Sequence, residues 1–445
     1  MVYLPPGKTI VGSHWVYKVK TKSDGTLKRC KSRVVAQGNT QQYGIDYEET
    51  FAPVARMTTI RTLLAVAAVR NWDLHQMDVK NAFLHGELQE EVYMRPPPGL
   101  VHSPNQVCKL RKALHGLRQA PRAWFEKFSV AILQFGFRQS PYDSAMFFRR
   151  SVKGTLLLLL YVDDMVITGS DSEGKKSLKT HLNLCFQMKD LGHLRYFLGI
   201  EVDRSSEGCF ISQVKYASGI LNRDGFTDSK TSKTPLELNV KLNPIDGKAL
   251  SDPTLYRQLV GSINYLTITR PDISYAVHVV SQFMSAPRTT HFAAIIRILR
   301  YIKGTLYQGL QFSSKSDLRL HTYTDSDWAG DVTDRRSTSG YCIFLGNSLI
   351  SWHSKKQSVV SRSSVEAEYR AMTHTTSEIV WLRWLLSDMG IHLAESTPLY
   401  CDNKAAIHIA HNDVFHERTK HIEIDCHFVR HHFKKKTITL PYVSS

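Results

Sequence analysis

The stretch Thr155–Ser170, TLLLLLYVDDMVITGS, decides how the rest of the chain is read. Leucines 156–160 run into Tyr161-Val162-Asp163-Asp164, and Met165-Val166-Ile167-Thr168-Gly169 leads away. An apolar run, a pair of acids and a second β-rich run predict strand, tight turn, strand. Aspartate suits turns, so Asp163 and Asp164 have a plain structural reading. Their setting supports another, because adjacent carboxylates in so apolar a stretch are costly unless exposed, paired or bound to a cation. A divalent-metal platform would need a further carboxylate from elsewhere in the chain.

The chain around this stretch is 445 residues long, which predicts two or three domains. A hydrophobic content of 42% with 10% aromatics fits a globular protein and not a disordered one. The net charge of +17 favours polyanionic partners, although a merely basic surface gives the same count. Seven scattered cysteines without a Cys-x-x-Cys fit a reducing compartment and no disulfide framework. The start, MVYLPPGKTIVG, lacks the charged and apolar segments of a secretory signal. No apolar run approaches the ~18 residues of a spanning helix. The expectation is a soluble protein of the cytoplasm or nucleus, not secreted and without a membrane partner.

Upstream, WVYKVKTKSDGTLKRCKSRVVAQG predicts a basic hairpin turning at Ser23-Asp24-Gly25. Lys18, Lys20, Lys22, Lys28, Arg29, Lys31 and Arg33 make it either an edge guarded by cations or a grip on phosphates. Residues 58–69 (TTIRTLLAVAAV) predict a core helix. In WDLHQMDVKNAFLHG, Asp78 ends a predicted strand before a helical AFLHGEL segment, where it could also serve as an N-cap. Arg118, Gln119 and Arg122 cluster at a helix start near Pro121, a place to meet an anion or a base or simply part of an amphipathic helix.

Downstream, the polar segment 224–253 reads as a linker, and helices are predicted over 272–284 and 291–303. From Leu318 the character changes: a strand ends at Asp325, a long helix begins near Ser363, and another strand ends at Asp402. Asp325, Glu366 and Asp402 form a second candidate carboxylate cluster, although each alone has a structural reading as turn residue, first-turn acid or N-cap. His408, His411, His416, His421 and His427 match no zinc spacing.

The blocks WVYKVK, KSRVVAQG, GIDYEETFAPVARM, QMDVKNAFLHGEL, HGLRQAPRAW, YVDD, YFLGIEV, YTDSDWAG, SSVEAEY, YCDNKAA and HERTKHIEIDCHF occur in this order over nearly the whole chain. Together they resemble the reverse transcriptase–ribonuclease H part of copia-type retrotransposon Pol polyproteins. The resemblance implies an α+β fold: a right-hand polymerase of fingers, palm and thumb, a helical connection, and a mixed-sheet ribonuclease H-like domain. The implied domains are 1–227 (fingers, palm, start of thumb), 228–317 (linker and connection) and 318–445 (ribonuclease H-like, clipped at its C-terminus). Asp78, Asp163 and Asp164 match the acids that hold two magnesium ions, with manganese as substitute. Phe83 matches the aromatic gate against a 2′ hydroxyl, and Gln119 a contact to nucleotide and template. Lys20 and Arg33 match triphosphate contacts, and YFLGI a hairpin that grips the primer end. Asp325, Glu366 and Asp402 match ribonuclease H acids, with two further metal ions; Asp325 is preferred to Asp327, and Glu423 or Asp425 would be the fourth acid.

The implied function is RNA-directed and DNA-directed DNA polymerisation with degradation of the RNA of hybrids. Implied partners are an RNA template, a DNA primer, an RNA–DNA hybrid and deoxynucleoside triphosphates. Because the family's sequences continue past both ends, the competing expectation is a catalytically inactive remnant that binds nucleic acid or a protein partner.

Overall fold

In a computed structural model of the chain, residues 1–21, 26–223, 230–238, 240–412 and 422–444 are described. The predicted turn at Ser23-Asp24-Gly25 and the histidines His416 and His421 lie outside the described residues. The chain has the α+β composition expected and divides into two compact units, residues 1–55 with 74–193 and residues 56–73 with 194–445.

The first unit is built on a six-stranded antiparallel sheet. Its order is Met188–His193, His75–Val79, Asp164–Gly169, Gly154–Tyr161, Met146–Ser151 and Arg138–Gln139. The predicted strand–turn–strand is its centre. Leu156, Leu158 and Leu160 face a core with Trp124, Phe128, Phe147, Leu178 and Leu182. Leu157 and Leu159, on the opposite face, are equally buried. A strand buried on both faces requires an unbroken apolar run where a half-exposed strand would alternate, which explains the leucines. Burying five of them contributes on the order of 10 kcal/mol, as an upper bound.

Two helices supply one side of that core. Ala120–Gln134 starts with a proline in its first turn and buries Ala120, Ala123, Trp124, Phe128 and Ile132 along one stripe. Ser172–Cys185 is capped by Asp171, whose carboxylate accepts from the Gly174 amide at 2.8 Å. The basic hairpin pairs Ser13–Thr21 with Leu27–Ala36. Its base is tied by the Ala36 amide donating to the His115 carbonyl at 2.8 Å. Next to that bond Gly116 has φ of +94°, and a Cβ there would lie 2.0 Å from the Ala36 carbonyl oxygen, so only glycine fits.

One predicted helix is absent. AFLHGEL forms a short 3-10 turn, Ala82–His85, followed by the strand Glu87–Met94. Asn81 enters the turn at φ of +53°, and Gly86 is pressed so close to the Ala123–Trp124 backbone that a Cβ would come within 2.7 Å of it. These two residues end any helix before it can propagate.

In the second unit, helix Met57–Val69 is buried from Thr59 to Ala68 on all sides. Its Arg61 is satisfied inside by the carbonyls of Ile350 (2.8 Å) and Ile268 (2.9 Å) and lies 3.9 Å from the Trp352 ring centroid. A four-stranded sheet follows, in the order Tyr196–Phe197, Ile200–Ser205, Gly208–Ser212 and Leu310–Ser313. The predicted helices appear as Ser274–Ser281 and Thr289–Gly304, packed with Thr254–Leu266 in one core.

The last part carries a five-stranded mixed sheet, in the order Ser348–Lys356, Thr338–Leu345, Leu320–Ser326, Thr397–Tyr400 and Ile438–Thr439. The first three strands pair antiparallel and the last two join in parallel. The long helix Ser364–Asp388 packs against this sheet, and Glu423–Lys434 packs against the helix. Among the described residues no helix is long and apolar enough to cross a membrane.

Candidate active sites

The first site is a product of strand register. Asp164 lies directly opposite Asp78 in the antiparallel pair, and Asp163 occupies the turn beside them. The turn is Val162-Asp163, closed by the pair Tyr161 and Asp164. Val162 has φ of +56°, a left-handed conformation that is uncommon for a β-branched residue and costs about 1–3 kcal/mol. Two bonds hold the turn: the Trp124 indole N–H donates to the Val162 carbonyl at 2.7 Å, and the Val79 amide donates to the Asp163 carbonyl at 2.9 Å.

Electrostatics marks the cluster as short of positive charge. Burial pushes the Asp78 carboxyl above its ordinary range; Asp163 adds to the shift, while Lys189, Lys31 and Lys20 oppose it. Asp164 is raised in the same way by burial and then by Asp163, despite the Gln76 amide donating to it at 3.3 Å. Buried neighbouring carboxylates that resist ionisation, as Asp78 and Asp164 do, are the chemistry a hard divalent cation relieves, so the donor set fits magnesium.

Asp78 and Asp163 line a cleft of about 720 Å³ whose other walls are mostly cationic: Lys20, Arg29, Lys31, Arg33, Lys80 and Lys189, with Cys30, Val79 and Asn81 between them. The structure therefore brings Lys20 and Arg33 into one cleft with two of the three acids. The hairpin register does this, placing Lys20 opposite Arg29, Lys18 opposite Lys31 and Val16 opposite Arg33, so that one face of the ribbon is basic. Sequence reasoning missed Lys189, the cross-strand neighbour of Asp78, because nothing local marks Met188–His193 as an edge strand of this sheet.

Two expected substrate residues sit differently. Phe83 is half-buried between two cores, 4.7 Å from the His115 ring, and does not line the cleft. Gln119 is fully buried, and its amide is committed: it accepts from Gln41 (3.1 Å) and donates to the Asp46 carbonyl (3.1 Å). In this structure Gln119 holds the Gln41–Asp46 loop to the helix. YFLGI forms the expected hairpin, with Leu198 and Gly199 both at positive φ and the Tyr265 hydroxyl donating to the Leu198 carbonyl.

The second cluster groups a different glutamate with Asp325 and Asp402 from the one expected. Asp325 stands exposed at the end of Leu320–Ser326, and Asp402 follows Thr397–Tyr400. The acid between them is Glu368 and not Glu366. Glu368 accepts from the Ser326 amide at 3.0 Å, and its carboxyl shares a hydrogen bond with Asp325. Ligand atoms of Glu368, Cys401 and Asp402 lie within 4.8 Å of one another. Burial first, then the Asp325 and Asp402 charges, push Glu368 up to about 8.

Glu366 is two residues earlier, about 200° around the helix, and is spent elsewhere. It receives the Arg370 guanidinium (3.1 and 3.0 Å) and the Arg362 amide (2.9 Å). Of the candidates for a fourth acid, Asp425 joins this second network, 3.7 Å from Arg370, and Glu423 lies 4.0 Å from His427. Asp327 caps its own loop by accepting from the Thr338 amide at 2.7 Å.

Residues 1–238 match the family model described as reverse transcriptase (RNA-dependent DNA polymerase). The chain belongs to that family. Its relatives place it in the copia-type Pol branch. It is 46% identical over 443 residues to the retrovirus-related Pol polyprotein from transposon RE1 of Arabidopsis thaliana, covering 99% of this chain and 30% of that polyprotein. It is 41% identical over 442 residues to that from transposon TNT 1-94 of Nicotiana tabacum, covering 97% and 33%. This copia-type chain thus spans about a third of the length of these relatives. A solved foamy viral protease–reverse transcriptase in complex with dsDNA matches 97% of this chain and 80% of its own, at 12% identity and a TM-score of 0.46. The reverse transcriptase match covers the first 238 residues, and the five-stranded mixed sheet with its helices lies beyond it.

Proposed function

We propose that this chain is an RNA-directed and DNA-directed DNA polymerase that also hydrolyses the RNA of hybrids, each reaction using two divalent metal ions. The domains proposed are 1–227 for polymerisation, 228–317 as connection and 318–445 for hydrolysis. One observation carries the polymerase reading: Asp78 and Asp164 in cross-strand register, with Asp163 in the turn, and Asp78 and Asp163 lining a cleft walled largely by lysine and arginine. A polyanionic triphosphate entering that cleft meets Lys20, Lys31 and Arg33 on the hairpin, which orient its phosphates by charge-assisted hydrogen bonds. Asp78, Asp163 and Asp164 would hold magnesium, which supplies a lowered pKa at the primer 3′ hydroxyl and charge relief for the leaving pyrophosphate. The protein's own work is positioning, by strands and a turn whose backbone is pinned at both carbonyls.

In the ribonuclease H-like domain, Asp325, Glu368 and Asp402 are the proposed metal-holding acids, and Glu366 is assigned to the helix start. The relatives' names identify Pol polyproteins, which supports a template, primer and hybrid as partners. The deciding experiment is primer extension on an RNA template with magnesium, beside Asp163→Asn. Extension by the wild type alone is the expected result. No extension by either protein, with hybrid binding and a cooperative melt retained, would make the chain a folded remnant.

A further inference from the structure

We infer that Trp124 is a positioning residue for the polymerase acids, acting through the Val162 carbonyl; this rests on the metal-binding reading of Asp78, Asp163 and Asp164. The acid-bearing turn contains no glycine. It places valine at φ of +56°, a conformation the chain does not hold unaided. Its two successive carbonyls are each pinned by a donor. The Asp163 carbonyl accepts from Val79, adjacent to Asp78, and the Val162 carbonyl accepts from Trp124. The first bond is part of the sheet, but the second comes from a helix and depends on one side chain.

The Trp124 ring is itself fixed. It is 1% exposed and packs against Phe128 at 5.5 Å, Phe186 at 5.1 Å and His85 at 6.0 Å between ring centroids. A ring held on several sides offers its N–H along one direction, so the helix Ala120–Gln134 sets the orientation of the Val162–Asp163 peptide. Without that bond the peptide can rotate out of the left-handed region, carrying Asp163 away from Asp78 and Asp164. Packing alone would make Trp124 an ordinary core residue. The hydrogen bond to a strained peptide beside the acids gives it a second task.

The test removes the N–H without removing the ring. Site-specific replacement of Trp124 by β-(3-benzothienyl)alanine exchanges the ring N–H for sulfur at nearly the same volume, and Trp124→Phe serves as a second variant. The readout is the part of Mn2+ binding, followed by electron paramagnetic resonance, that Asp163→Asn abolishes; primer-extension kcat and KM are measured alongside. The replacement is expected to weaken that binding about tenfold, ~1.4 kcal/mol, with an unchanged melt and a fall in kcat larger than any rise in KM. Adding Val162→Gly should restore the affinity to within about threefold, because glycine adopts positive φ without a clamp.

Unchanged affinity in the benzothienyl protein overturns the inference. So does a loss that Val162→Gly fails to restore, since a packing defect in the core would not respond to a change in the turn. A wild-type chain without Asp163-dependent Mn2+ binding would instead take down the functional reading and this inference together.

Discussion

Glu366 and Glu368 lie on one turn of helix, and replacing each by glutamine separates their jobs. In the metal-free protein the Glu368 carboxyl is pushed up to about 8. At pH 7 it then carries its proton roughly ten times in eleven. A divalent cation must displace that proton, which costs about 1.4 kcal/mol, or tenfold in affinity, at pH 7 and almost nothing at pH 9. The affinity of the Asp325–Glu368–Asp402 cluster for Mn2+ should therefore rise about tenfold between those pH values.

Glu368→Gln removes that pH slope and weakens binding at pH 9 by at least ~100-fold. Glu366→Gln should leave metal binding and its slope in place. It discharges a partner of Arg370 but keeps an acceptor for the Arg362 amide, and Arg370 retains Asp425, so the cost falls on folding, at about 2 kcal/mol. The assay is calorimetric Mn2+ titration at both pH values in an Asp163→Asn background, with a urea midpoint and hydrolysis of a labelled RNA–DNA hybrid for each variant. The reasoning is refuted if Glu366→Gln ends hydrolysis without moving the midpoint while Glu368→Gln remains active.

The same carboxyl makes metal-free stability depend on pH. The folded protein keeps the Glu368 proton to about 8, whereas the unfolded chain releases it near 4.5, so this contribution is full below 4.5 and is lost as pH rises through 8. Urea midpoints taken across that window should fall in the wild type and flatten in Glu368→Gln. Lys20→Ala and Arg33→Ala should each raise the KM for nucleotide about tenfold with a smaller change in kcat, and an unchanged KM in both would remove the hairpin from the triphosphate grip. Gln119→Ala should cost about 2 kcal/mol by urea midpoint, since the Gln41 side-chain N–H loses its acceptor and the Asp46 carbonyl its donor; a raised KM at unchanged stability would restore Gln119 as a substrate contact. Because burial and then Asp163 raise both Asp78 and Asp164 in the metal-free protein, Asp163-dependent Mn2+ affinity should begin to fall on acidification at a pH above the ordinary aspartate range, and a binding profile with an ordinary aspartate midpoint would contradict that burial.

The sequence shows the acid-bearing hairpin because its evidence is local: the leucine run, the two acids and the β-branched exit are contiguous. It does not show that Asp164 faces Asp78, because register between strands far apart in the chain is set by which faces the sheet buries. Lys189 and Gln119 fail for the same reason in opposite directions. A lysine in an unmarked edge strand turns out to neighbour Asp78, and a glutamine at a helix start, which reads as an exposed contact, is enclosed by a loop from more than seventy residues upstream. The helix expected at AFLHGEL misread a local cue, since Asn81 and Gly86 bracket a span too short to nucleate.

The sequence carries a local cue that separates Glu366 from Glu368. Ser363-Ser364-Val365-Glu366 is the S-x-x-E pattern of a capping box. Its serine should accept from the amide of the glutamate three residues on, and the glutamate should turn back over the helix start. The structure shows the Ser363 hydroxyl accepting from the Glu366 amide at 3.2 Å and the Glu366 carboxylate reaching back to the Arg362 amide at 2.9 Å, one residue before the cap. An acid engaged in starting a helix points toward its N-terminal rim, whereas an acid two positions later faces another side of the cylinder. In SSVEAEY that side is the sheet carrying Asp325 and Asp402. Where a motif offers two acids two residues apart and the helix start takes up the first, the second is the one free to face the sheet.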